Sequence, residues 1–177
     1  FQEEPAGTRG TVWYSSSFLG TKSSKTKMNP TFLAKDQAQV TTLTSVLIEG
    51  PRINDKYLTN PELQYVYAWT STRNSNIPNS LVKVDLTDGE VLSWKDETDE
   101  FSVYIGEPVF IAAPNAVAED DGVVIAAGVQ YDADLLESAN SSFLLVLNAT
   151  TMEELGRASR EGITLPFAFH TQFYSSS

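Results

Sequence analysis

The stretch LVKVDLTDGEVL, residues Leu81 to Leu92, gives the clearest fold signal, because a similar stretch, LLVLNATTMEEL, recurs at Leu144 to Leu155. Each copy has the pattern of a strand, a turn led by Asp or Asn, and a return strand. Helix propensity makes a helix the alternative for Thr151–Arg160. The hairpin is favoured because the apolar run Phe143–Leu147 needs a partner strand. A hairpin that recurs after about sixty residues predicts consecutive blades of a β-propeller rather than one sandwich.

Further strands are predicted upstream, so the chain is expected to be all-β. Val40–Ile48 is rich in β-branched residues and is followed by Gly50 and Pro51, which is the pattern of a strand and a turn. Gln64–Thr70 carries aromatic residues at alternate positions, which predicts one buried face. Residues 1–39 are polar and predict a lead-in loop with one strand at most. The propeller portion is therefore expected over residues 40–177.

Composition limits the classes of function. The 177 residues are 41% hydrophobic, enough for one globular core, and the net charge of −11 with scattered basic residues argues against a nucleic-acid partner. No apolar run approaches the ~20 residues of a membrane span, and no secretory signal is visible. Without cysteine the chain holds no disulfide or thiolate metal site. The expected location is intracellular and cytoplasmic, and the Asn140 and Asn148 glycosylation sequons are interpreted as chance matches.

Three features could carry chemistry. His170, the only histidine, lies in the apolar run Leu165–Tyr174 and is either a hydrogen-bonded core residue or a ligand. Glu107 lies among apolar residues and is either a solvated edge charge or a buried carboxylate with a donor. The acidic run Glu119–Asp121 lacks the spacing of an EF-hand calcium loop and is interpreted as a solvated turn.

Five motifs follow one another along the chain: IEGPRIN at 48–54, GEPVF at 106–110, EDDGVV at 119–124, FLLVLNA at 143–149 and PFAFH at 166–170. In this order they closely resemble the C-terminal third of the carotenoid oxygenases. That family includes the carotenoid cleavage dioxygenases and the retinoid isomerase of the visual cycle. The resemblance covers about Val40 to Phe173, and the first forty residues match no recognisable pattern.

The resemblance implies a seven-bladed β-propeller that holds a non-haem ferrous ion on four histidines, three of them oriented by glutamates. By motif position, His170 matches the last iron ligand, and Glu107 and Glu49 match two of the three glutamates. Neutral imidazole suits iron, and a carboxylate that accepts the other ring N–H sets the tautomer of the ligand.

The implied activity is cleavage of a carbon–carbon double bond of a carotenoid or apocarotenoid by dioxygen, giving two carbonyl products. The alternative is a member that does not cleave and instead binds a carotenoid or retinoid, or isomerises a retinoid. A polyene dissolved in lipid would favour peripheral contact with a membrane.

Two positions depart from the family pattern. Gly50 stands where an aromatic residue is usual, and Thr171 follows the histidine where glycine is common. A β-branched residue resists positive φ, so a difference in the local backbone or at the mouth of the iron site is expected at Thr171.

One histidine cannot make a four-histidine site, and seven blades need about three times this length, so the chain is expected to be a piece of a longer protein. We predict that isolated 1–177 is inactive and exposes unpaired strand edges, which favour association. The test is to assay the purified segment with ferrous iron and a carotenoid. Iron-dependent cleavage by the segment alone would refute the prediction.

Overall fold

In the computed structural model, the described part of the chain consists of antiparallel β-sheet and connecting turns. It comprises residues 12–14, 26–29, 39–72, 77–97, 101–132, 139–159, 165 and 170–174. Within those ranges twelve strands form three sheets, and the single 3₁₀ turn is Asp55–Tyr57. The described residues contain no helix that is long and apolar enough to cross a membrane.

The first sheet differs from the sequence prediction. It is an antiparallel meander with the order β1-β2-β3, and it places two whole strands in a segment predicted to hold one at most. The strand predicted over Val40–Ile48 ends at Thr42, because the residues that follow pack Leu43, Val46 and Ile48 against the second sheet. The bounds are β1 Val12–Tyr14, β2 Thr26–Asn29 and β3 Gln39–Thr42.

The other two sheets each contain one of the repeated hairpins, as predicted. The second sheet has the order β4-β5-β6-β7, and its strands are β4 Glu49–Arg52, β5 Tyr65–Thr70, β6 Ser80–Asp85 and β7 Val91–Lys95. The third has the order β12-β11-β10-β8, and β9 also pairs with β10. Its strands are β8 Phe101–Ile105, β9 Val109–Ala112, β10 Gly122–Asp132, β11 Ala139–Asn148 and β12 Glu154–Ser159. The helical alternative for Thr151–Arg160 is wrong, since β12 pairs with β11.

The turns of the two hairpins are closed by hydrogen bonds at equivalent positions. The backbone N–H of Gly89 donates to the carbonyl oxygen of Asp85 at 2.9 Å, and that of Met152 donates to Asn148 at 2.8 Å. Both donors have positive φ, 83° for Gly89 and 62° for Met152. A positive φ costs a residue other than glycine about 1 kcal/mol or more. Met152 offsets this cost because its side chain is buried in the core.

The second and third sheets pack together through one hydrophobic cluster. It includes Tyr67 and Trp69 from β5, and Val124 and Leu145 from the third sheet. The prediction of one buried face for β5 is incomplete, because Val66 and Ala68 are also buried, in a second cluster on the opposite face. Strand β5 is therefore covered on both sides, as expected for a central strand between layers.

The acidic run Glu119–Asp121 is not a solvated turn, and that interpretation is wrong. Glu119 and Asp120 are buried, and each meets donors on the second sheet. The Glu119 carboxylate accepts the backbone N–H of Gln64 at 2.9 Å and of Tyr65 at 2.8 Å. Asp120 forms an ion pair with Lys83 at 2.6 Å. Only Asp121 is exposed, so two of the three acidic residues join the sheets.

Removal of the Glu119 carboxylate should destabilise the contact between the sheets. We expect Glu119→Ala to lower the free energy of unfolding by about 2 kcal/mol or more, because two backbone donors lose their acceptor. The measurement is denaturant unfolding of a full-length protein that carries this chain. Glu62→Ala is the matched control, since Glu62 is exposed and its removal should change stability by less than about 0.5 kcal/mol. Equal losses in the two variants would contradict the assignment.

Candidate functional site

Glu107 is the centre of the candidate site. It lies in the link 106–108 between β8 and β9 and is only 5% exposed. Its Oε2 atom accepts a hydrogen bond from Arg52 Nη2 at 2.9 Å and another from the backbone N–H of Thr171 at 3.1 Å. Of the two alternatives for Glu107, the buried carboxylate with donors is therefore correct. These donors compensate for the loss of hydration.

His170 is exposed, so the alternative of a buried core histidine is wrong. Its side chain is 87% exposed, and its Nδ1 atom lies 3.5 Å from Oε2 of Glu107. That distance exceeds the usual range of a hydrogen bond, but it places the carboxylate on the Nδ1 side of the ring. Among the described residues, the other ring nitrogen, Nε2, has no partner. A carboxylate at one ring nitrogen and a free second nitrogen are the features of a carboxylate-oriented metal ligand.

Glu49 is not bonded to the cluster formed by Glu107, Arg52, Thr171 and His170. It begins β4 and pairs with Trp69 of β5. Glu107 holds the corresponding place in the third sheet. The number of residues from Glu107 to Ala127 is the same as that from Glu49 to its partner Trp69. The carbonyl oxygen of Ala127 accepts the backbone N–H of Gly106, the neighbour of Glu107, at 2.8 Å. No hydrogen bond or ion pair within the described ranges joins Glu49 to Glu107 or His170. The repeat thus places the two glutamates at equivalent positions, but only Glu107 touches His170.

The structure accommodates glycine at position 50. Gly50 has a φ of 54°, and a Cβ atom there would lie 2.2 Å from Trp69 Nε1 and 3.3 Å from Cγ of Glu107. The indole of Trp69 therefore occupies the space that a side chain at position 50 would need. Gly50 also brings β4 into contact with the Glu107 side chain.

Threonine at position 171 causes no backbone strain. Asn115 and Met152 are the non-glycine residues with positive φ in the described part of the chain, so Thr171 does not adopt the conformation that a β-branched residue resists. Its N–H is bound by Glu107, and its carbonyl oxygen accepts a hydrogen bond from Arg52. The difference from the family pattern expected at this position stays a prediction.

Arg52 is the residue of this cluster that sequence reasoning missed. It lies inside the IEGPRIN motif, but a cation in an exposed strand position is common and does not by itself indicate a site. Glu107 could have pointed to Arg52, because a buried carboxylate requires a hydrogen-bond donor. The Nη2 atom of Arg52 bridges Glu107 and Thr171, which are distant from it in sequence.

A cavity of about 260 Å³ borders the cluster. It is lined by Arg52–Asp55, Val109–Ala112, Gln172 and Phe173, so it combines apolar strand residues with polar side chains. Within the described residues there is no group of three or more His, Cys, Asp or Glu side chains that could hold a metal ion. His170 is the one imidazole that the chain can contribute to such a set.

Burial also determines the protonation state of Tyr67, which lies in β5 near the cluster. Tyr67 stacks on Phe110 with ring centroids 5.5 Å apart and donates its hydroxyl hydrogen to the carbonyl oxygen of Ala149 at 3.1 Å. Burial, followed by the nearby Asp120 carboxylate, raises the pKa of Tyr67 well above its usual value. Tyr67 therefore remains a neutral hydrogen-bond donor that ties the second sheet to the third.

These sheets and this cluster define a fragment of a β-propeller with a histidine–glutamate pair. The family model for the retinal pigment epithelial membrane protein, RPE65, matches residues 8–175. The chain therefore belongs to the RPE65, or carotenoid oxygenase, family. The match includes most of the first forty residues, and the domain boundary expected near Val40 stays a prediction.

Individual relatives agree with the family match. The chain is 39% identical over 123 residues to carotenoid cleavage dioxygenase 8 homolog A of Oryza sativa subsp. japonica, covering 70% of this chain and 19% of that protein. It is 37% identical over 111 residues to the carotenoid isomerooxygenase of Drosophila melanogaster, covering 62% of this chain and 16% of that protein. The chain thus spans less than a fifth of the length of these two relatives.

The fold agrees with a solved structure of the family. The cobalt-substituted apocarotenoid oxygenase of Synechocystis superposes with a TM-score of 0.69 at 22% identity, covering 88% of this chain and 30% of that one. This similarity confirms the predicted all-β fold, with the sheets as blades of the family's β-propeller.

Substitution of Gly50 should be far more harmful than substitution of a glycine in an open strand. We expect Gly50→Ala to cost about 2–4 kcal/mol of stability, because the methyl group would overlap Trp69 and alanine disfavours positive φ. Gly156→Ala is the matched control, since nothing lies within 4 Å of the position that its methyl group would take and the cost should stay below about 0.5 kcal/mol. Thermal unfolding of the full-length variants measures the difference. A tolerated Gly50→Ala would show that Trp69 does not fill this space.

Proposed function

We propose that this chain is part of an iron(II)-dependent dioxygenase that cleaves a carbon–carbon double bond of a carotenoid or apocarotenoid. The single observation that supports the proposal most is the pairing of His170 Nδ1 with the buried Glu107 carboxylate at 3.5 Å. The names of the relatives support the class of substrate, since they describe a carotenoid cleavage dioxygenase and an apocarotenoid oxygenase.

The residues present fit one part of a ferrous site. Imidazole is a suitable ligand for Fe²⁺, and Nε2 of His170 is the nitrogen that would bind it. The iron, when bound, would supply the activation of dioxygen. The remaining three histidines of the implied set would come from outside this chain, which contains a single histidine.

The two glutamates have different roles in the proposal. Glu107 faces Nδ1 of His170 and would accept its proton once the ring is held on the metal, which would set the tautomer and leave Nε2 as the metal-binding nitrogen. Glu49 would orient another histidine ligand from the equivalent place in the adjacent blade. The repeat supports this second role, because it gives Glu49 and Glu107 corresponding positions on their sheets.

The proposed substrate places requirements on the rest of the protein. A polyene is apolar, so it requires a pocket from which water is excluded, and its low solubility in water would bring the enzyme to a membrane surface as a peripheral protein. Dioxygen is the second substrate, and the two carbonyl groups of the products take up its oxygen atoms.

A second candidate function is isomerisation of the polyene, with or without cleavage. The observation that favours it is the similarity to the carotenoid isomerooxygenase of Drosophila melanogaster. Product analysis separates the two. Cleavage under ¹⁸O₂ gives two labelled carbonyl fragments, and isomerisation alone gives an intact, unlabelled polyene. Isomerisation together with cleavage gives labelled fragments with an altered double-bond geometry.

Replacement of His170 tests the proposed ligand. In the full-length protein we expect His170→Ala to abolish both iron retention and turnover, because the ligand nitrogen is removed. Glu107→Gln should weaken iron binding by about 10–100-fold, since an amide orients the imidazole less well. Iron content after gel filtration and the rate of polyene consumption are the measurements.

The neighbouring residue provides the control for that experiment. Thr171→Gly retains the backbone N–H and carbonyl that bind Glu107 and Arg52, so iron content should remain as in the parent protein. Unchanged iron content in His170→Ala would show that the ligand assignment is wrong.

A further inference from the structure

We propose that Arg52 is a positioning residue that holds the backbone beside His170 against Glu107. The inference rests on the proposed function, because it concerns how the proposed ligand is kept in place. It adds a residue that contacts neither metal nor substrate and acts through Glu107 and Thr171.

The three residues form a closed ring of hydrogen bonds, which we call the Arg52 clamp. Arg52 Nη2 donates to Oε2 of Glu107 at 2.9 Å and to the carbonyl oxygen of Thr171. The backbone N–H of Thr171 donates to the same Oε2 atom at 3.1 Å. Both backbone polar groups of the residue after His170 are thus bound by one charge pair.

The clamp connects a rigid frame to a segment without sheet pairing. Arg52 lies in β4, where it pairs with Tyr67, and the Glu107 link is anchored through Gly106. Residues 170–174 belong to no strand. Among the described residues, every hydrogen bond from 170–174 to the sheets runs through Arg52 or Glu107. Loss of either partner should therefore release the backbone that carries His170.

The chemistry of the guanidinium suits this role better than that of another cation. The side chain of Glu107 is only 7% exposed and that of Arg52 is 36% exposed, so the ion pair is partly shielded from water. A planar guanidinium donates along fixed directions, and one of its nitrogens can serve two acceptors. A lysine would supply the charge as a single flexible point and would hold the carbonyl of Thr171 less firmly.

The first experiment measures the clamp without metal. In the metal-free full-length protein, hydrogen exchange of the Thr171 amide should be at least about 10-fold faster in Arg52→Met than in the parent, since protection depends on a held hydrogen bond. Arg52→Lys should give an intermediate rate. An unchanged rate in Arg52→Met would overturn the proposal.

The second experiment measures the consequence for the ligand. The apoprotein is titrated with Co²⁺ as a coloured replacement for ferrous iron, and the affinity of Arg52→Met should fall by about 10–100-fold. Arg52→Lys should recover part of the loss. Faster exchange with unchanged Co²⁺ affinity would overturn the positioning role.

Arg157 supplies the matched control. It is an arginine of similar exposure, 27%, that bonds Asp96 at 2.5 Å and Glu154 at 2.6 Å and joins the two sheets. Arg157→Met should lower thermal stability and leave both Thr171 exchange and Co²⁺ affinity unchanged. Equal effects of Arg52→Met and Arg157→Met on these two readouts would overturn the proposal, because they would indicate general destabilisation.

Absence of metal binding and absence of the Arg52 clamp give different experimental results. A parent protein that binds neither Fe²⁺ nor Co²⁺ would contradict the proposed function, and with it the role of Arg52 in ligand positioning. The exchange rate of Thr171 would still decide whether the clamp holds the backbone. Metal binding in the parent together with unaltered exchange in Arg52→Met would leave the proposed function in place and reject the clamp.

Discussion

The negative charge of Glu107 is the constraint on which the candidate site depends. A carboxylate this deeply buried has lost most of its hydration, so the chain must bring donors to it. The donors come from two distant parts of the chain, Arg52 of β4 and the backbone of Thr171. By satisfying one charge, the structure joins the second sheet, the third sheet and the C-terminal segment at one place. His170 lies beside Glu107 because it precedes the residue that Glu107 binds.

Buried polar groups that find partners in distant parts of the chain also join the second and third sheets. The hydrophobic cluster supplies the main attraction between them, and buried polar contacts at its margins determine how they are aligned. Glu119 binds the first backbone groups of β5, Asp120 pairs with Lys83, and Arg157 of β12 pairs with Asp96, which follows β7. Hydrogen bonding to Glu154 raises the pKa of Arg157, and bonding to Arg157 lowers the pKa of Glu154, so both remain charged at neutral pH. These contacts are directional, and they fix the relation between strands that apolar packing alone would leave loose.

The repeated hairpin was predictable because its signals are local. Alternating apolar residues and an Asp- or Asn-led turn are enough to specify a strand pair, and Met152 shows that burial can replace glycine at the turn. The prediction of a solvated turn for Glu119–Asp121 was wrong because the partners of these residues are not local. Nothing in the neighbourhood of this run indicates that Gln64, Tyr65 and Lys83 lie opposite, and without those partners a solvated turn is the ordinary expectation. Arg52 was missed on the same grounds, since its partner Glu107 is distant in sequence.

Composition and local pattern were enough to predict the all-β class and the two hairpins, and the family motifs nominated Glu107, Glu49 and His170 as candidate site residues. They could do so because strand periodicity, turn chemistry and family motifs are written in short contiguous stretches. The folded structure was needed to show that Glu107 is buried, that His170 is exposed beside it, that Glu49 makes no bond to either residue, and that Arg52 completes the cluster. Burial and pairing depend on which residues the folded sheets bring face to face, and no local pattern contains that information.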